Sequence, residues 1–145
     1  MIKKYKESSR RLTVKIASFS FLRAGVPEDK SGNGGGFVFD CRSLPNPGRY
    51  AQYKQLNGKD QPVIDFLEKE QSVLDFFDNT YSLVKPAVDK YLERDFESLM
   101  VSYGCTGGQH RSVYFTERLA KRLADEYDIN IEVTHYQRYL EGEFI

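Results

Sequence analysis

Leu99-Met100-Val101-Ser102-Tyr103-Gly104-Cys105-Thr106-Gly107-Gly108-Gln109-His110-Arg111-Ser112 is the stretch that decides how this chain is read. Leu99 to Tyr103 is β-prone, and Val113 to Tyr127 is helix-prone. A strand, a glycine turn and a helix start, in that order, are the parts of an anion site. The first amides of a helix have no intrahelical acceptor, and the helix dipole puts partial positive charge there. Gly104, Gly107 and Gly108 free the backbone to turn several N–H groups inward. Arg111 adds a fork of donors suited to phosphate. Gly104, Cys105, Thr106, Gly107, Gly108, Gln109, His110, Arg111 and Ser112 are therefore read as a phosphate or carboxylate cradle. His110, at the helix start, is read as a donor to the bound group, with a local cap or packing role as the alternative. His135 stands alone on a later strand and reads as a structural histidine.

Outward from that loop, the chain has 145 residues, enough for one domain with a real core. Its 40% hydrophobic content argues against global disorder. No apolar run approaches a membrane span, and the basic start, Met1 to Arg11, lacks the apolar stretch and cleavage site of a secretory signal. A cytoplasmic protein without membrane contact is expected. Cys41 and Cys105 are the only cysteines, so free thiols are expected rather than a disulfide. With no CxxC pair and two histidines, neither a metal nor a cofactor is expected. The formal net charge is zero, which argues against strong nonspecific nucleic-acid binding.

The remaining pattern predicts an α/β fold, a single domain with a mostly parallel sheet covered by helices. Residues 1–11 read as a frayed, basic lead. Leu12 to Phe21 alternates and reads as a strand. Arg23 to Gly36 is glycine-rich and reads as a flexible loop. Phe37 to Cys41 reads as a short buried strand, and Leu44-Pro45-Asn46-Pro47-Gly48-Arg49 as a rigid loop that walls a site. Asp60 is the candidate N-cap of a helix to Glu70, with Pro62 in its first turn. Ser72 and Asp75 resemble a capping box for a second helix to about Arg94, which Pro86 should kink or interrupt. Ile129 to Tyr136 alternates and reads as the last strand. The order β-β-α-α-β-α-β follows.

Cys105 and Arg111 are also spaced Cys-x5-Arg, with Ser112 next, as in tyrosine-phosphatase loops. There a thiolate attacks phosphorus, and a helix N-terminus and an arginine lower its pKa. Gly104 stands where such loops have histidine, and no aspartate is marked by context as the general acid. A cysteine-dependent phosphatase using Cys105 and Arg111 is the alternative to a non-catalytic site.

Gly104 to Tyr114 resembles the signature near the C-terminus of the RNase adaptor RapZ family, the YvcJ-type P-loop nucleotide-binding proteins. Phe39-Asp40-Cys41-Arg42-Ser43-Leu44-Pro45-Asn46-Pro47, Ser18-Phe19-Ser20-Phe21 with Gly25-Val26-Pro27, and Gly58-Lys59-Asp60-Gln61-Pro62-Val63 resemble further blocks of that family. The resemblance covers about Leu12 to Arg138. It implies a domain at residues 12–138 like the family's C-terminal half, which resembles a piece of phosphofructokinase, with a flexible lead at 1–11 and a short tail at 139–145. That half is associated with an amino-sugar phosphate and with regulatory small RNA. No G-x-x-x-x-G-K-S/T motif occurs in this chain, so nucleotide hydrolysis is not expected despite the family's ATP-binding label. The family's lysine-histidine-glycine after the first strand is Leu22-Arg23-Ala24-Gly25 here, which makes Arg23 the candidate replacement contact. The acidic, apolar end Tyr139 to Ile145 replaces a basic tail and argues against RNA binding.

The expected function is a non-catalytic sensor or adaptor for a small phosphorylated metabolite. Arg42, Asn46 and Arg23 would contact it beside the 104–112 loop. The expected partners are a phosphosugar-like molecule, phosphate or sulfate. An RNA- or protein-binding adaptor with a vestigial ligand site is a further reading.

Overall fold

The computed structural model describes all residues, Met1–Ile145. Five strands, β1 (Ile2–Lys6), β2 (Thr13–Ser20), β3 (Phe37–Asp40), β4 (Ser98–Cys105) and β5 (Asn130–His135), form one sheet in the order β1-β5-β2-β4-β3. β2 pairs in parallel with β4 and β5, and β4 pairs in parallel with β3. Only β1 is antiparallel, against β5. Helices α1 (Gln61–Glu68), α2 (Gln71–Glu93), α3 (Arg111–Glu126) and α4 (Tyr136–Leu140) complete the single α/β domain. No helix is long and apolar enough to cross a membrane.

The alternation in β2 and β5 sorts the sheet into two faces. Val14, Ile16, Leu99, Val101, Tyr103, Ile131 and Val133 join one buried cluster with Val63 and Leu67 of α1, Phe77, Val84 and Val88 of α2, and Phe115, Leu119 and Leu123 of α3. Phe115 stacks on Tyr103 at 5.5 Å, and the buried Tyr103 hydroxyl pairs with Thr80 Oγ1 at 2.8 Å. The core thus clamps β4, the strand that carries the glycine loop. The opposite face presents Lys15, Ala17, Met100, Glu132 and Thr134, flanked by Pro27–Lys30, Tyr136 and Tyr139.

Several local expectations change. Ile2–Lys6, read as part of a frayed lead, is an edge strand. Its backbone completes the ladder on β5, and Lys6 Nζ donates to the Ala124 and Tyr127 carbonyls at the end of α3, where a cation is favoured. Three lysines on five residues also guard that edge against further pairing. β3 is an edge strand, not a buried one: Val38 and Asp40 are exposed. α2 continues through Pro86. The carbonyl that Pro86 leaves without a donor belongs to the exposed Ser82, where water can serve it. Ser72 lies inside α2 and caps nothing; Glu70 is the N-cap residue. Asp60 holds the N-cap position of α1 but turns its carboxylate to the Asn57 amide.

Candidate functional site

The loop between β4 and α3 sits at the carboxyl ends of the parallel strands, where ligands of open α/β sheets gather. Its hydrogen bonds run in one direction. Every carbonyl from Thr106 to His110 is held by the protein: Thr106 by Ser20 Oγ at 2.6 Å, Gly107 and Gly108 by the Arg138 guanidinium at 3.1 Å each, Gln109 by the Gly58 amide at 3.0 Å, and His110 by the Tyr114 amide at 3.0 Å. No amide from Thr106 to Val113 donates to any protein acceptor. A peptide unit is planar, with its C=O and N–H opposed, so each carbonyl held behind the loop aims the next amide to the front. The result is a run of donors over a helix N-terminus.

The glycines serve this loop differently from the sequence reading. Gly108 has φ +66°, the left-handed turn that glycine allows, and a side chain there would meet Gln137 Cβ at 2.8 Å and the Phe19–Ser20 backbone at 3.1 Å. Gly107 lies on the open side, with nothing within 4 Å of a built Cβ. Gly104 is not part of the turn. It is a strand residue pressed on the rings of Phe19 and Phe21, at 2.4–2.6 Å from a built Cβ. Gly58, outside the loop, has room for no side chain against His110 O and Tyr114 N.

The segment after β3 supplies the second wall. Arg111 is 3% exposed and spends Nη1 on the carbonyls of Arg42 at 3.0 Å and Leu44 at 2.9 Å. Its Nη2 reaches Thr106 Oγ1 at 3.5 Å, and its Nε is buried without a protein partner. Arg111 is therefore first a bolt between the two walls. Asn46 Oδ1 accepts from the Gly48 amide at 2.9 Å and shapes a 3-10 turn over Pro47–Arg49. Arg42 is paired with Asp40 and lies over the Phe21 ring, 4.2 Å from its centroid. That pairing holds the Asp40 carboxyl below the usual carboxylate range.

Two connected spaces of about 330 and 660 Å³ open between the walls, sharing Asn46, Thr106 and Arg111. Gly107, Gln109, His110, Gly48 and Lys54 line the smaller, and Arg42, Arg49, Tyr50 and Ser72 border the larger. Arg49 belongs to the 44–49 loop read as a site wall, whereas Lys54 escapes the sequence reading because it lies in a connecting segment with no periodic pattern. Five candidates do not line the cleft. Gly104 and Gly108 act in packing, and Ser112 is fully buried beneath the helix start. Arg23 points to the C-terminal segment, where it pairs with Glu141 at 3.3 Å. Cys105 is 2% exposed, belongs to the apolar core, and donates to Ser112 Oγ at 3.1 Å. It lines neither space, unlike a nucleophile at the centre of an amide ring. Cys41 is likewise buried, which pushes its thiol well up.

His110 also departs from the expected donor. Its Nε2 lies 2.8 Å from the Tyr53 carbonyl, which only accepts, so that nitrogen carries the ring proton. Burial holds the imidazole below its ordinary value of 6.5, opposed by the Tyr53 carbonyl and reinforced by Arg138 and Arg111. The neutral ring is thus a strut to the 50–56 segment, and its contribution toward an anion is its backbone amide. The sign of the linkage follows. The unfolded chain binds a proton at this histidine more readily than the fold does. Its contribution is present above pH 6.5 and is lost as pH falls through the folded value. The urea midpoint is expected to drop as pH falls below 6.5, with a shallower slope in His110→Gln. Parallel slopes would show that this ring carries none of it. His135 meets its structural expectation: Nδ1 faces Ser18 Oγ at 2.8 Å and Nε2 faces Glu117 Oε2 at 2.7 Å.

Fold and site define a two-walled α/β domain with an inward-facing amide loop at the end of its parallel strands. The family model described as the RapZ C-terminal domain matches residues 12–139, and the chain belongs to that family. A nucleotide-binding protein of Pseudothermotoga lettingae is 39% identical over 122 residues, 84% of this chain and 42% of that protein. One from Chromobacterium violaceum is 38% identical over 131 residues, 90% of this chain and 44% of that protein. One from Cupriavidus pinatubonensis is 44% identical over 115 residues, 79% of this chain and 37% of that protein. The chain spans under half the length of these curated relatives.

Proposed function

We propose that this domain is a non-catalytic sensor or adaptor that binds a small phosphorylated metabolite, phosphosugar-like in size, between the 106–111 loop and the 42–50 wall. The observation that carries the reading is the one-way polarity of the loop: its carbonyls are all engaged behind it and its amides donate to nothing in the protein. Amides at a helix start have no intrahelical acceptor, and a run of them facing one way beside the helix dipole is suited to an anion from outside. Lys54 and Arg49 add positive charge at the mouth. The names of the relatives fit a phosphate-bearing ligand, and the shared chemistry is the phosphate. A cytoplasmic setting accords with two buried free thiols. RNA is not part of the proposal, since the chain has no net charge to drive counterion release.

Isothermal calorimetry with inorganic phosphate and a panel of phosphosugars tests the reading. Saturable binding is expected, and amide shifts in NMR spectra should fall on Thr106 to Val113. Heat-silent titrations across the panel would refute it. Turnover of an aryl phosphate should be negligible and unchanged in Cys105→Ser. A robust rate abolished by that substitution would replace the sensor with a cysteine phosphatase.

A further inference from the structure

We propose that Arg138 is the positioning residue of the cradle: it aims the Gln109 amide at the ligand by holding the Gly108 carbonyl from behind, and fixes the Gly108 peptide by holding the Gly107 carbonyl in the same grip. The inference rests on the anion-site reading and adds the residue that imposes its geometry.

Arg138 belongs to the short helix α4, on the side of the loop away from the cleft. It is 5% exposed, and its Nε and Nη2 reach the two successive carbonyls at 3.1 Å each. Planarity does the rest. The Gly107 carbonyl and the Gly108 N–H oppose each other in one peptide unit, as do the Gly108 carbonyl and the Gln109 N–H. Two adjacent glycines have no side chain to fix their dihedrals, so this orientation needs an outside restraint. A guanidinium edge is a rigid two-pronged donor that matches two carbonyls at once, whereas an ammonium is a point charge. The grip is itself supported. Glu141 pairs with Nη2, the nitrogen that also reaches Gly107, and Glu143 pairs with Nη1, while Gln137, beside Arg138, packs against Gly108 and accepts from the Ala24 amide at 3.2 Å. The acidic end of the chain thus serves to neutralise and orient a buried arginine.

The test compares the full chain with Arg138→Lys, Arg138→Met and Arg138→Ala. The probe is inorganic phosphate, read by calorimetry, together with the Gly108 and Gln109 amide resonances of the free protein. Arg138→Lys is expected to weaken phosphate binding about tenfold, the loss of one charged hydrogen bond, and Arg138→Met more. Both should shift the two amide resonances while core resonances stay in place. Millimolar methylguanidinium, but not methylammonium, should restore binding to Arg138→Ala. If the wild type binds phosphate and Arg138→Lys binds equally well with unmoved Gly108 and Gln109 resonances, the positioning role is overturned. If the wild type itself is silent, the anion-site reading falls, and those resonances still decide whether Arg138 sets the loop. Should the alanine and methionine variants not fold, Arg138→Lys carries the decision alone.

Discussion

Arg111→Ala is expected to lose both binding and stability. The side chain reaches into the 42–50 wall with two good hydrogen bonds to the Arg42 and Leu44 carbonyls, and it is almost fully buried. Truncation leaves the buried Leu44 carbonyl without its charged donor and cuts the tie between the walls. Unsatisfied buried acceptors cost about 1–3 kcal/mol each, so a stability loss of roughly 3 kcal/mol is expected. Phosphate affinity should fall by roughly 1.5–3 kcal/mol through the lost charge and the loosened wall. Arg111→Lys keeps the charge but cannot serve two carbonyls and the Thr106 side at once, so it should recover part of the affinity and little of the stability. Urea titration and calorimetry on the same preparations separate the effects. A wild-type urea midpoint in Arg111→Ala would remove the bolt between the walls; wild-type affinity would remove Arg111 from the site.

What the sequence could and could not disclose follows from the range of each interaction. Periodicity is local, and β2, β4, β5 and the helices were legible because Val14, Ile16, Leu119 and Leu123 repeat at the spacing of their own element. The loop was legible because strand, glycines and helix start are contiguous. The partners of that loop were not, since Ser20, Gly58 and Arg138 come from three other segments, and nothing beside them in the chain says that they hold its carbonyls. Edge strand β1 hid for a different reason: Ile2–Lys6 carries lysines, and its structure comes from backbone pairing with β5 rather than from burial. Arg111 looked like a ligand fork because a sequence cannot reveal that the 42–44 carbonyls compete for the same donors. A nucleophilic Cys105 stays open as an alternative in the sequence because Cys-x5-Arg spacing does not say which face of the strand the sulfur takes. The parity of β4 sends it into the core with Tyr103 and Val101.

Gly58→Ala is expected to damage the site from outside it. An alanine methyl at this position would stand 2.3 Å from the His110 carbonyl oxygen and 2.4 Å from the Tyr114 nitrogen, both backbone atoms at the start of α3. Neither can rotate aside as a side chain tip would. The 57–59 segment must retreat, and it takes with it the Gly58 amide that holds the Gln109 carbonyl at 3.0 Å. With that carbonyl released, the next peptide is free to turn, and the His110 amide loses its aim. The bonds from Gln109 Nε2 to the Lys54 and Leu56 carbonyls, 2.8 Å each, are strained by the same shift. Overpacking of this kind costs about 1–3 kcal/mol, and the upper end is expected because the obstacles are backbone. Gly107→Ala is the matched control: a methyl there has nothing within 4 Å, so its stability should stay within about 0.5 kcal/mol of wild type. Thermal and urea unfolding of the pair, with hydrogen exchange at the 106–113 amides, reads the difference. Equal stability in the two variants would mean that the approach of Gly58 to α3 is not required, and that the Gln109 carbonyl is held by something else.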